Sequence, residues 1–88
     1  MEIKIGTFAR SKAGHDSDQI YVIINCDSEY VYLSDGRLKT VDNPKKKRYK
    51  HIQVINYINP IINKKLMENN LLMNEDIKSA IKNYKADN

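Results

Sequence analysis

The feature that most constrains this chain is a change of period near residue 57. Before it, apolar residues come in short β-branched and aromatic runs. After it, they recur at helical spacing. Residues 3–11, 20–24, 30–33, 38–41 and 51–55 read as strands, the plainest being Ile20-Tyr21-Val22-Ile23-Ile24. Asp35-Gly36 lies between the third and fourth runs, and an Asp-Gly pair there predicts a hairpin through a type I′ turn. Alternation then puts Val31, Leu33 and Leu38 inside and leaves Tyr30 and Tyr32 more exposed, while Tyr21 fits either face. Beyond the switch, Asn59-Pro60 predicts a helix start, with Asn as N-cap and Pro where its missing N–H is harmless. This helix is expected to run to about residue 68, with Ile58, Ile62 and Leu66 on one face. Asn69-Asn70 suits a left-handed stop. A second helix is predicted from Asn74, with Glu75 and Asp76 in the dipole-favoured first turn and Ile77, Ala80, Ile81 and Tyr84 as its apolar face. Leu71, Leu72 and Met73 are expected to plug the corner.

The predicted class is mainly β with C-terminal helices, an α+β chain. A small five-stranded antiparallel barrel is expected over residues 1–56. A short helical hairpin over 57–88 is expected to pack on it, giving one structural domain. With 88 residues there is one modest core. Two-domain enzymes with a hinged cleft are excluded. A barrel of about 56 residues is marginal alone, so capping it is the expected task of the helices.

Charge is distributed unevenly. The 15 Lys and Arg against 11 Asp and Glu give a net charge of +4. Residues 1–43 and 66–88 are each slightly acidic, while residues 44–65 carry seven Lys or Arg and no acid. At the centre stands Lys45-Lys46-Lys47-Arg48-Tyr49-Lys50-His51. Cations so close repel one another, and a fold alone gains little from the arrangement. A solvated loop explains it weakly; a strip for anions, phosphate above all, explains it better. The alternative task for the helices, less favoured than capping, is to extend the strip onto the first predicted helix through Lys64 and Lys65.

Catalytic signals are weak. The sequence has no Gly-rich phosphate loop and no Gly-x-Ser-x-Gly. Cys26 is the single cysteine, so no internal disulfide forms, and His15 and His51 are not placed beside it by any motif. Cys26 reads as a small half-buried apolar residue. His15, His51 and Cys26 lack metal-ligand spacing. The expectation is no enzyme, no cofactor and no metal. No run is long and apolar enough for a membrane span, and residues 1–14 lack the apolar stretch of a secretory signal, so a cytoplasmic location is expected.

The loop after the first strand, Arg10-Ser11-Lys12-Ala13-Gly14-His15-Asp16, carries donors that suit phosphate or 2′-hydroxyl contacts around a permissive glycine. A plain turn is the competing reading. From Ile5-Gly6-Thr7-Phe8 through Gly14-His15-Asp16 to the strand at 20–24, the chain resembles the KOW motif of ribosomal proteins and transcription-elongation factors. With Asp35-Gly36-Arg37 and the basic run at 44–51, residues 3–56 are similar to small bacterial KOW proteins akin to large-subunit ribosomal protein L fourteen of the e-type. The resemblance fades over the helices. It implies an SH3-like barrel that binds RNA, mostly ribosomal RNA. Gly14 falls on the motif's glycine, Arg10, Ser11, Lys12 and His15 on the loop pressed against RNA, and Lys45 to Lys50 on the family's basic stretch. Ser17-Asp18 stand where the family often has a second glycine.

The expected function is a non-catalytic RNA-binding protein, ribosomal or ribosome-associated. Its contacts would come from Arg10, Ser11, Lys12, Gly14, His15, Lys45, Lys46, Lys47, Arg48, Tyr49, Lys50 and His51. Large-subunit ribosomal RNA and ribosomal proteins are the expected partners. Tyr49 either stacks on a base or packs on the barrel. The alternative is a protein-interaction module of the transcription or translation machinery, docking through the barrel or the helices. The sequence leaves oligomeric state open, because a barrel's edge strand is able to pair with a second copy.

Overall fold

A computed structural model describes residues 3–12, 14 and 18–87. Five strands come first: β1 (Thr7–Ser11), β2 (Ile20–Cys26), β3 (Tyr30–Ser34), β4 (Lys45–Arg48) and β5 (Ile52–Ile58). A 3₁₀ turn (Tyr49–His51) joins β4 to β5, and the helices α1 (Pro60–Met67) and α2 (Asn74–Asp87) follow. Every pairing is antiparallel, in the order β4-β3-β2-β1-β5. Hydrogen bonding leaves this sheet open, with β4 and β5 as its edges, where a barrel was expected.

The sheet is nevertheless strongly bent. The Lys47 ammonium on β4 donates to the Ser11 hydroxyl on β1, three places away. In a flat sheet those strands would lie about 14 Å apart, beyond the reach of one lysine. Inside the bend, Ala9, Tyr21, Ile23, Val31, Leu33 and Ile52 form one core, with Cys26 and Tyr49 at its margin. On the opposite face, Phe8, Ile20 and Val22 meet Ile62 of α1 and Ile77, Ala80 and Ile81 of α2. The sheet is thus a middle layer. Strand β2 is covered on both faces, which accounts for its unbroken apolar run. Val31 and Leu33 are inside as alternation requires, and Tyr21 faces the same core.

Both helices form where their end signals stand. Asn59 accepts from the Ile61 and Ile62 amides at 2.9 and 3.2 Å, and Asn69 ends the helical segment at φ +58°. Asp76 works back on its own helix start, accepting from the Met73 amide at 2.8 Å and the Lys65 ammonium at 2.7 Å. That is one half of a capping box, the N3 carboxylate reaching back to the N-cap amide, joined by a cation from the other helix. An aromatic trio ties helix to sheet: Phe8 of β1 meets Tyr57 of β5 edge-on at 5.1 Å and Tyr84 of α2 at 5.2 Å. Each such pair adds about 0.5–1.5 kcal/mol beyond its area burial.

Three expectations are corrected. Residues 38–41 are not a strand, and Leu38, expected inside, is 85 % exposed. The amides there are taken by other partners. The Asp35 carboxylate accepts from Arg37 and Lys39 at 2.9 and 3.0 Å, and Asn74 Oδ1 at the start of α2 accepts from Val41 at 2.9 Å. The type I′ turn is absent too, because among the described non-glycine residues only Asp18 and Asn69 have positive φ. The strand that pairs with β3 is the lysine run itself. At the helical corner only Leu72 packs against the core, while Leu71 and Met73 face solvent.

Candidate functional site

The basic segment and the loop after β1 come together. The Lys12 amide donates to the His51 carbonyl at 2.9 Å, and the Lys47 ammonium reaches Ser11. The last residues of β1 therefore lie against the 3₁₀ turn and β4, although they are far apart in the chain. Lys12 and Gly14 are exposed, Gly14 at φ +88°, a conformation that favours glycine. Asp18 is left-handed at φ +70°, and its amide donates to the Ser11 carbonyl at 2.9 Å, so an aspartate takes a backbone angle that favours glycine. His15, like Ala13, Asp16 and Ser17, lies outside the described residues. Arg10 is half-buried, level with Ile20 on β2 and Gln53 on β5, and so belongs to the helix-covered face. Ser11 is fully buried, with its hydroxyl accepting from Lys47.

Strand geometry divides the lysine run. Lys45 and Lys47 turn inward and are half-buried, whereas Lys46 and Arg48 are exposed on the other face. Lys46 Nζ stands 4.2 Å above the centre of the Tyr30 ring and Arg48 Cζ 5.1 Å from it, a double cation–π contact. Arg48 also lies 4.0 Å from Glu29, an exposed pair of little energetic weight. The strip read from sequence is therefore two rows, one on each side of an edge strand. Lys50 is exposed and His51 half-buried in the turn beyond.

Tyr49 packs; it is not offered for stacking. Its ring lies against the inner core, and its hydroxyl donates to the Asp27 carbonyl. Burial first, then the neighbouring Cys26 thiol and Asp27, push its pKa up, so it stays neutral at physiological pH. The aromatic ring beside the exposed cations is Tyr30. Asp27 organises the β2–β3 turn. It accepts from the Glu29 and Tyr30 amides at 2.9 and 2.7 Å and from the Tyr32 hydroxyl at 2.8 Å. Those bonds hold its carboxyl below the ordinary aspartate range and raise the Tyr32 hydroxyl in turn.

Sequence reasoning passed over a second set of cations. Arg37, Lys78, Lys82 and Lys85 line a groove of about 420 Å³ between α2 and the 35–39 loop. An adjoining groove adds Lys39 and Lys45 and shares Gln19, Asp35 and Arg37 with the first. The signal was present in part, since Lys78, Lys82 and Lys85 follow i, i+4, i+7 spacing. Of the two lysines that the alternative reading adds to the strip, Lys64 is exposed on α1 and Lys65 pairs with Asp76. Among the described residues, no three His, Cys, Asp or Glu side chains gather as a metal cage would need. No helix among the described residues is long and apolar enough to cross a membrane. In comparisons with known proteins, the chain matches no protein-family model and no curated protein.

Proposed function

We propose that this chain is a non-catalytic RNA-binding protein of the KOW kind, built on an SH3-like sheet and associated with the ribosome or its assembly in the cytoplasm. One observation carries the proposal. The exposed loop of Lys12 and Gly14 touches the turn that ends the lysine strand, through the Lys12–His51 hydrogen bond at 2.9 Å. Two segments with independent reasons to meet phosphate thus form one surface. The mechanism is backbone recognition. Lys46 and Arg48 present charge beside the Tyr30 ring, and Lys12 and Lys50 add charge at the neighbouring turn. Lysine is a point charge, so base discrimination is expected to be small. Ribosomal RNA, with its bends and exposed minor grooves, is the substrate class this suits.

The test has two parts. Sedimentation of native extract on a sucrose gradient should place the protein with the large subunit at low salt and release it at high salt. In direct titration with ribosomal RNA, log K should fall against log salt with a slope of roughly −3 to −5 for about five neutralised phosphates. Glutamate at Lys45, Lys46 and Lys47 together should abolish binding. A protein that stays at the top of the gradient at both salts, with a flat salt response, refutes the proposal.

The exposed Met67, Leu71 and Met73 around the helical corner favour the other reading, a protein-docking module. Charge reversal on β4 separates the two, because docking through the corner would survive it.

A further inference from the structure

We propose that the groove between α2 and the 35–39 loop is a second phosphate track, which carries the bound RNA backbone from β4 around the end of the sheet onto the C-terminal helix. This rests on the RNA-binding reading above and extends it to residues outside the segment that suggested it.

The argument begins with the helix. Lys78, Lys82 and Lys85 share one face of α2 and span about 10 Å of its axis. Lys78 pairs with Glu75 and Lys85 suits the last turn of the helix, but Lys82 stands between them as a third like charge at i, i+4 and i, i+3, a spacing that weakens a helix. Arg37 stands across the groove on the 35–39 loop, and Ile20 and Ile81 are among the residues beneath. The adjoining groove continues past Arg37 to Lys39 and then to Lys45, the first residue of β4. The cations thus form a path from helix to basic strand.

Two acids lie along this path, Asp35 lining both grooves and Glu75 beside Lys78. The Asp35 carboxylate holds its own loop, accepting the Arg37 and Lys39 amides at 2.9 and 3.0 Å. Glu75 pairs with Lys78 at 2.9 Å from an exposed position, a contact that water and salt screen and that a phosphate is able to displace. Among the described residues, no carboxylate comes within 4.0 Å of Lys82 or Lys85. Both are exposed and available to a polyanion.

The groove is also fixed in place. Its two walls are joined by the Asn74–Val41 hydrogen bond at 2.9 Å and by the close approach of Gly36 to the Asn74 carbonyl. The backbone positions that carry the cations therefore hold their spacing before any ligand arrives, and only the side chains remain to be ordered on binding.

The test uses the full chain, a fluorescein-labelled ribosomal RNA hairpin and inorganic tripolyphosphate. Titrations run between about 50 and 200 mM salt. The Lys82→Glu/Lys85→Glu variant should raise the Kd for the hairpin at least about tenfold. Lys82→Gln/Lys85→Gln should lower the slope of log K against log salt by about 1.4 to 1.8, the share of two lost phosphate contacts. Both substitutions are at exposed positions, and an unchanged circular dichroism melt confirms folding. Hairpin binding by the groove variants equal to that of the unsubstituted chain, while reversal at Lys46 and Arg48 abolishes it, overturns this inference and leaves the RNA reading standing. No hairpin binding by the unsubstituted chain overturns both. Tripolyphosphate binding that depends on Lys82 and Lys85, with hairpin affinity unchanged, assigns the groove to a small polyphosphate and overturns the RNA track.

Discussion

Replacing Gly36 with alanine tests how firmly α2 is seated on the β3–β4 loop. Gly36 has φ +77°, where an L-residue costs about 1–2 kcal/mol. A Cβ there would also lie 2.5 Å from the Asn74 carbonyl oxygen and 3.1 Å from the Lys78 amide nitrogen, against an ordinary contact of 3.4 Å or more. The obstacles are backbone atoms in the first turns of a helix, so the helix start has to retreat by roughly 0.9 Å. That displacement stretches the Asn74–Val41 hydrogen bond, now 2.9 Å, past useful length and forfeits about 1 kcal/mol. Together these give a loss of about 2–3 kcal/mol, or a Tm lowered by about 8 to 24 °C for a domain of this size. The assay is thermal unfolding followed by circular dichroism at 222 nm (the helix band, about 222 nm), paired with urea titration. Asparagine at the same position tolerates the backbone angle but keeps the collision, so its loss should fall below that of alanine and stay above zero. A Gly36→Ala protein within about 0.5 kcal/mol of the unsubstituted chain would refute the tight contact between loop and helix, and with it the fixed geometry of the basic groove.

Two further substitutions probe the acids that hold the turns. Asp76→Asn should cost about 1–2 kcal/mol in urea unfolding at neutral pH, because the Met73 amide and the Lys65 ammonium both lose a charged acceptor. The Lys65 bond is the main cause of a lowered Asp76 pKa, so that stability is present above the ordinary aspartate value of 3.8 and disappears as pH falls through the lower folded value. The variant should therefore lose less stability on acidification than the unsubstituted protein. In the β2–β3 turn, the Asp27 carboxyl should titrate below 3.8 by carbon-13 NMR and move up toward it in Tyr32→Phe, which removes one of its three donors; an unmoved midpoint would contradict the hydrogen bond.

The parts of this fold that local chemistry decides could be read in advance. Asn59 caps α1 because its side chain finds amides two and three residues away, and Ile77, Ala80 and Ile81 are buried because helical spacing puts them on one side. The failure at 38–41 has a long-range cause. Val41 gives its amide to Asn74, a residue 33 positions later, and no window around Val41 contains that partner. The same displacement hid β4. A run of lysines has neither the alternation nor the propensity of a strand, and it becomes one only because β3 has an unpaired edge to offer. For the site, the basic segment could be found from composition. Its division into two rows could not, because that follows from strand geometry, and Arg37 joins the lysines of α2 only through the docking of helix on loop.

Protection of an exposed sheet edge is the strongest competing explanation for the lysines of β4, since lysine on an edge strand blocks pairing with another chain. It accounts for an inward-turned Lys45 or Lys47. It does not account for the rest. One or two charges suffice to blunt an edge of four residues, yet every residue of β4 is cationic and Lys50 continues the series beyond it. Nor does it reach α2, which is no sheet edge and still turns Lys78, Lys82 and Lys85 toward Arg37. Cations running from β4 through Lys39 and Arg37 to the helix, with Asp35 the acid between them and holding its own loop, form an arrangement that suits a polyanion.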